Sequence, residues 1–550
     1  MRRILLIAVL LGAPVILQGQ KNVDLTVVHR IKAEAFERSK VMDQLSNLAD
    51  LYGPRLTASP EWDQAANWAM QQLKSYGLAN VHEEKWGPFG RSWSVESYTV
   101  DMLTPRYSHL VAAPLAWSSP TEGMQKCEVM YAPLTFEHAY DVKKSREELI
   151  RYEDKWRGKL KGKIVLMTDA HQPSPSTRPL FTRYTAEQLA EIGKAPAPAI
   201  RRDVTVDQLE FPSNPDDVNK YFETLPNSVV NELYDKYDDL RADLGAFFTH
   251  EGVTAVIKAD RRSHNGIINA EAAGSFTTKK AMAPPSFIVT EEQYSRMQRL
   301  VEKKQPVTVG IDLKAKYSDS DMNAANIIGE IPGQKKPDEV VMIGAHFDSW
   351  HSGTGATDNG AGSAVMIEVM RILKALNLPL DRTVRIGLWS GEEQGLFGSR
   401  AYVDAHFANI KTGEVKPEQA KFDTYLNLDN GSGKIRGVYL EGNDAMRPLF
   451  EEWFAPFRDM DVSTISLKHT GGTDHLSFDD AGLPAFQFIQ DPLDYETLTH
   501  HSDVDTYSHA IPEDLMQASA VIATLVYDIA NRSEMSPRKV TVQNGKLVRY

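Results

Sequence analysis

The sequence predicts an α/β protein: a mainly parallel, mixed sheet flanked by helices, carrying an inserted β-rich domain. Three observations lead there. At 550 residues the chain is too long for a single core. From about Asn323 onward, strand-like apolar runs alternate with helical periodicity, the pattern of right-handed βαβ crossovers. Between about Leu115 and residue 290 the texture changes to short apolar runs separated by Gly and Pro.

The elements follow in order. Arg2 and Arg3 precede an apolar run over 4–11 that is too short to span a bilayer comfortably. Residues 1–20 therefore read as a secretory signal peptide, and the protein as exported, periplasmic or secreted, with no stable membrane span after cleavage. Cys127 is the only cysteine, which excludes an intramolecular disulfide and a thiolate metal cluster. Residues 21–114 form the N-terminal part of the main domain, and 43–93 read as a helical entry piece. There Ser59 is an N-cap, Pro60 opens a helix, Ala66, Met70 and Leu73 recur at helical spacing, and Gly77 is a stop. The β-rich domain occupies 115–290, with strands expected at 127–131, 163–167, 252–258 and 285–289. Inside it, about 174–244 is proline-rich and charged with helical patches such as 229–240, and reads as an insertion. Residues 291–533 return to the main domain. The continuous apolar run 340–345 suits a strand buried on both faces. Val365, Val369, Ile372, Leu373 and Leu376 then mark an amphipathic helix, and 384–389, 425–428 and 484–489 read as further strands. Residues 534–550 are polar and are expected to be a loosely held tail.

Composition narrows the function class. With 42% hydrophobic and 25% charged residues the chain belongs with globular rather than disordered proteins. A net charge of -13, with no Lys/Arg cluster beyond short pairs, argues against a nucleic-acid partner.

The chemistry is carried by acidic and imidazole groups in the C-terminal half. They are His346-Phe347-Asp348, Thr357-Asp358-Asn359-Gly360, Glu392-Glu393, Asp429 and His501-Ser502-Asp503-Val504-Asp505-Thr506. Each motif taken alone has an ordinary reading as a capping pair, a helix start or a turn. Together, almost all fall where a strand-like run meets a polar turn, so an open parallel sheet gathers them at the carboxyl ends of its strands. Two zinc ions about 3.5–4 Å apart need N/O ligands and a bridging carboxylate. The set supplies His346 and Asp429 for one ion, Glu393 and His501 for the other, and Asp358 as the bridge. Glu392 is the candidate general base that takes the proton of an attacking water and passes it to the leaving amine. Asp348 and Asp505 are suited to orient His346 and His501 respectively by hydrogen bonds to the imidazoles.

His-Phe-Asp-Ser, Asp-Asn-Gly-Ala-Gly, Trp-Ser-Gly-Glu-Glu-Gln-Gly-Leu-Phe-Gly-Ser and His-Ser-x-x-Asp-Thr resemble motifs of the di-zinc exopeptidases. That family includes bacterial leucyl aminopeptidases, glutamate carboxypeptidase and carboxypeptidase Q, and the layout most resembles the last. Gly53-Pro54-Arg55-Leu56-Thr57 is similar to the family's N-terminal segment. The resemblance implies the zinc-exopeptidase fold (phosphorylase/hydrolase-like), with the β-rich part as an inserted protease-associated domain. It implies His346, Asp358, Glu393, Asp429 and His501 as ligands, Glu392 and Asp348 as the catalytic pair, and a cis Asp358–Asn359 peptide. It also suggests a homodimer.

The expected activity is zinc-dependent hydrolysis of short peptides, as an aminopeptidase or dipeptidase. A carboxypeptidase on the same site, a single-zinc glutaminyl cyclase-like enzyme and a scaffold with a decayed site are the alternatives; intact ligands and Glu392 argue against the scaffold. His500 is the alternative to His501, and Asp474 a further candidate for meeting a substrate amine. His351 departs from the carboxypeptidase Q pattern and reads as a solvent-facing residue at the rim. His406, His469 and His509 have no motif context.

Overall fold

The computed structural model describes residues 23–548 apart from 137–140, 171–178, 198, 201–203, 213, 261 and 263. The signal-peptide reading of 1–20 lies outside the described residues. No helix among the described residues is long and apolar enough to cross a membrane.

Two eight-stranded sheets organise the chain. In the larger, the strands run in the order Ala79–Trp86, Ala324–Ile331, Arg382–Trp389, Lys336–His346, Phe422–Asn427, Ala485–Gln490, Ile435–Tyr439, Thr464–Ser466. The four strands from Arg382–Trp389 to Ala485–Gln490 are mutually parallel, and antiparallel partners flank them, so the sheet is mixed as expected. Its central strands are buried throughout because Val341, Ile343, Ala345, Ile386 and Leu426 meet helices on both faces. Helix Ala361–Ala375 and helix Pro512–Asn531 cover one face together, each burying a broad apolar stripe.

The smaller sheet runs Ser108–His109, Ser92–Thr104, Thr308–Ser318, Gln125–Tyr131, Ile164–Leu166, Ala255–Lys258, Ser286–Val289, Ala112–Pro114. Its long strands Ser92–Thr104 and Thr308–Ser318 lie outside the span 115–290 read from the sequence. Helices Ala186–Gly193, Pro215–Phe222 and Asn227–His250 fall in the charged 174–244 stretch or run on from it. An aromatic cluster of Phe89, Trp93, Trp117, Phe276 and Trp350 packs the two sheets' units together.

Two readings need correction. The 43–93 entry piece is helical only to Ser75; Ala79–Trp86 is an edge strand. Its polar Asn-Val-His-Glu-Glu-Lys sequence carries no apolar alternation, and backbone pairing with Ala324–Ile331 supplies what the side chains do not. The tail, in turn, is held. Ser536 is buried with its N–H on Asp423, Arg538 reaches the carbonyls of Gln419 and Phe422, and Thr541–Gln543 pairs with Lys546–Val548.

Candidate metal centre

The parallel strands set the site's position. From Lys336–His346 the chain crosses to Arg382–Trp389 on one side and then to Phe422–Asn427 on the other. That reversal opens a crevice at the carboxyl end of the central strand. His346 is the last residue of that strand, Glu392 and Glu393 follow Trp389, Asp429 follows Asn427, and His501 lies in the loop beyond Gln490. Asp358 sits on the turn that leads into helix Ala361–Ala375, and its peptide bond to Asn359 is cis, as the resemblance implied. Gly362 makes this turn possible: a Cβ there would lie 2.3 Å from Asn359 Oδ1 and 2.4 Å from the Leu428 carbonyl.

The side chains converge on Asp358. Its Oδ1 is 3.2 Å from His346 Nε2, and its Oδ2 is 3.4 Å from His501 Nε2. His346 Nε2 is also 3.6 Å from Asp429 Oδ1 and 3.9 Å from Glu392 Oε2, while His501 Nε2 is 3.0 Å from Glu393 Oε2. His500 stands further off, 4.0 Å from Asp358 Oδ2, and its ring stacks on Tyr495. His501 is therefore the better placed of the two.

The supporting shell differs from the sequence expectation in two places. His346 Nδ1 bonds the Asp348 main-chain carbonyl at 3.0 Å, with the Asp348 carboxylate at 3.6 Å. That carboxylate is engaged elsewhere, accepting from Thr57 Oγ1 at 2.8 Å and from the Glu392 and Glu393 N–H groups at 3.4 and 3.3 Å. Asp505 does not orient His501. Its carboxylate accepts from the N–H groups of Thr357 and Asp358 at 2.6 and 3.1 Å, and so fixes the Asp358 turn. The reason lies in the backbone: His501 has φ +57°, and its Nδ1 meets Glu271 of the smaller sheet's unit at 3.0 Å. Glu271 stands in no motif and could not have been found by spacing.

Beneath the cluster lies Arg55, fully buried, its guanidinium donating to the carbonyls of Phe347, Leu48, Thr354 and Gly355. Burial lowers it to about 10, while Asp505, Asp348, Glu393 and Asp358 pull the other way and keep it charged. His351 is not solvent-facing: it bonds the Pro114 carbonyl at 2.7 Å, packs on Trp93, and burial lowers it to about 4. Asp474 is wholly buried, and burial raises it to about 7. His469 bonds buried Glu441, His509 bonds Asp494, and His406 bonds Glu84, which are structural roles.

The electrostatics fit a divalent cation. Burial and the Asp358 charge push Glu393 up to about 7, and burial with the Asp429, Asp474 and Glu393 charges takes Glu392 well above the usual carboxylate range. Burial would raise Asp358 too, but hydrogen bonding and charge from His346 and His501 hold it low. Asp358 Oδ2 is buried without a hydrogen-bond partner. A crowded set of carboxylates with imidazoles and a free lone pair at its centre is the donor chemistry of a zinc site. His346, Asp358 and Glu393 offer ligand atoms within 4.8 Å of one another, as do Asp358, His500 and His501.

Comparisons with known proteins agree with this chemistry. The model of peptidase family M28 matches residues 326–526. Carboxypeptidase Q of Bos taurus is 27% identical over 521 residues, covering 94% of this chain and 89% of that protein. Among solved structures, a peptidase M28 precursor from Shewanella amazonensis matches with a TM-score of 0.61 at 21% identity, over 93% of this chain and 98% of that one. A zinc aminopeptidase from Bacillus subtilis matches with a TM-score of 0.51 at 20% identity, over 89% and 94%. At these identities the two structures speak to the fold.

Proposed function

We propose, from the premise that this chain belongs to peptidase family M28 and is a metallopeptidase, that it is a di-zinc exopeptidase acting on short peptides. One observation carries the reading: the two oxygens of the Asp358 carboxylate face two different imidazoles, His346 and His501, at 3.2 and 3.4 Å. His346 and Asp429 would hold one ion and Glu393 and His501 the other, with Asp358 shared between them. Zinc bound there supplies Lewis acidity for the substrate carbonyl and for a water.

The chain's own residues do the rest. Glu392 stands on the wall of the crevice, its N–H anchored on Asp348 Oδ1 at 3.4 Å and its Oε2 3.9 Å from His346 Nε2. It takes the proton of the attacking water and returns it to the leaving amine. Asp348 positions it: one carboxylate accepts from the backbone N–H groups of both glutamates and from the Thr57 hydroxyl. The smaller sheet's unit covers the crevice's His500–Asp503 loop, with Asn269 Nδ2 on the His500 carbonyl at 3.1 Å, the Ile268 N–H on the Asp503 carboxylate and the Asp503 N–H on the Ile268 carbonyl. That cover favours short peptides over folded proteins.

Recognition of a free amine is the favoured specificity. The sequence brings no clustered Arg pair to the motif strands that would take a substrate carboxylate. The carboxypeptidase reading has one observation of its own, the near full-length likeness to carboxypeptidase Q. The charged start and apolar run of 1–20 support export, which N-terminal sequencing of the mature protein tests. Sedimentation tests the homodimer that likeness to carboxypeptidase Q suggests.

The deciding experiment measures zinc per chain and turnover of dipeptides, aminoacyl amides and N-blocked peptides, for wild type and Glu392→Gln. Two zincs, retained in a variant whose kcat falls by about 10²–10⁴-fold, are expected. Hydrolysis of N-blocked peptides but not of aminoacyl amides would transfer the assignment to a carboxypeptidase. A single zinc with cyclisation of N-terminal Gln peptides would refute the peptidase mechanism.

A further inference from the structure

The atom of His501 that faces the acidic cluster is Nε2; the other nitrogen is taken by a carboxylate from the smaller sheet's unit. Glu271 Oε1 lies 3.0 Å from His501 Nδ1 and accepts from Arg262 Nη2 at 2.7 Å. Arg262 in turn grips Asp260 through Nε and Nη2, both at 3.1 Å. The loop carrying Glu271 is paired with the loop carrying His501: Ile268 N–H meets Asp503 Oδ1 at 2.8 Å, Asp503 N–H meets the Ile268 carbonyl at 2.9 Å, and Asn269 Nδ2 meets the His500 carbonyl at 3.1 Å. His501 itself stands at φ +57°, a backbone conformation that a non-glycine residue keeps only where its surroundings hold it.

We propose that Glu271 is a positioning residue of the metal centre: it holds the Nδ1–H of His501 so that the Nε2 lone pair points at the shared metal position. A ligating imidazole needs its second nitrogen tied to an acceptor, which fixes both tautomer and ring orientation. Arg262, shared with Asp260, offsets part of the charge that Glu271 brings to an acid-rich centre. Asp505, four residues after His501, is already engaged with the Asp358 turn. Glu271 also lies outside the residues 326–526 matched by the family model. The centre is then incomplete without the smaller sheet's unit, whose docking and metal affinity are coupled. This inference rests on the reading of His501 as a ligand.

The test is chelator competition for zinc on the full chain, for wild type, Glu271→Ala, Glu271→Met, Glu271→Gln and His501→Ala, with apoprotein melting alongside. Glu271→Ala is expected to weaken one of two zinc sites by about 10–100-fold, leaving the other and the apoprotein melting point near wild type. Glu271→Met keeps the length without the acceptor and carries the same expectation if the alanine variant does not fold. Glu271→Gln, whose amide oxygen still accepts, should recover part of the loss. Wild-type affinity at both sites in Glu271→Ala or Glu271→Met, while His501→Ala loses a site, overturns the proposal and leaves His501 a ligand. Wild-type affinity in His501→Ala overturns both.

Discussion

Replacing Arg55 by Met tests whether the buried guanidinium is the scaffold beneath the centre. The side chain is fully buried and donates to four main-chain carbonyls, at 2.8 Å (Phe347), 3.1 Å (Leu48), 3.2 Å (Thr354) and 2.9 Å (Gly355). Phe347 and Gly355 flank the segment that carries Asp348 and leads to Asp358, so the contacts tie the entry segment to the loop that builds the site. Hydrogen bonds from a charged donor contribute about 1.5–3 kcal/mol each, but burying the guanidinium itself costs several kcal/mol. Removing one partner of such a buried charged network typically costs about 3–5 kcal/mol, and that is the expected loss for Arg55→Met. With a denaturant slope of about 3 kcal/mol/M, the urea midpoint of the unit containing the site falls by about 1 M or more. Tryptophan fluorescence reads the change directly, since Trp62 packs edge-on against Phe347. Arg55→Lys should remain well below wild type, because an ammonium has three donors and no planar fork. A shift of less than about 1 kcal/mol in Arg55→Met would refute the reasoning.

Thr57→Val removes the hydroxyl that donates to Asp348 and accepts from the Gly391 N–H, both at 2.8 Å. It should cost about 1–3 kcal/mol in urea melts, with a fall in kcat that exceeds any change in KM. Gly362→Ala forces a Cβ to 2.3 Å from Asn359 Oδ1 and should destabilise by about 1–3 kcal/mol, with zinc affinity falling in chelator competition because the Asp358 turn must shift. Glu441, buried between His469 and His475, is held down to about 2: burial alone would raise it, but these imidazoles outweigh that. A depressed carboxyl contributes stability above its unfolded value of about 4.5 and loses it as pH falls towards 2, a contribution of about 3 kcal/mol at neutral pH. Melts from pH 6 to 3 should therefore show wild type converging on Glu441→Gln; a constant gap between them would be the contrary result.

The strands and most of the ordered acids were legible because His346, Glu392, Glu393 and Asp429 stand where apolar runs end, and a parallel sheet turns that sequence position into spatial proximity. Asp358 and His501 lie on loops further on, and were added by their motifs and by the ligand count. What escaped was set by long-range contact. Glu271 reaches His501 from another sheet, across 230 positions, with no spacing rule to connect them. Asp505 looked like the partner of its near neighbour, yet a left-handed turn at His501 sends the imidazole elsewhere. Ala79–Trp86 was hidden for the same reason, as its β conformation comes from Ala324–Ile331 rather than from its own polar residues.

The acids of the centre separate by how completely the chain satisfies them. Asp348 accepts from Thr57 and two backbone N–H groups, and Asp505 from the backbone and hydroxyl of Thr357 and the N–H of Asp358. Carboxylates saturated in this way have few lone pairs to offer, and their work is to hold neighbouring backbone in place. Asp358 Oδ2 is buried with no hydrogen bond among the described residues and only the His501 imidazole near it, at 3.4 Å, while the Glu392 carboxylate meets His346 only at 3.9 Å, beyond hydrogen-bond reach. A buried oxygen left so is costly unless function uses it. In the function proposed above, the catalytic pair implied by family resemblance divides by role: Glu392 carries the proton, and Asp348 holds the Glu392 backbone in place.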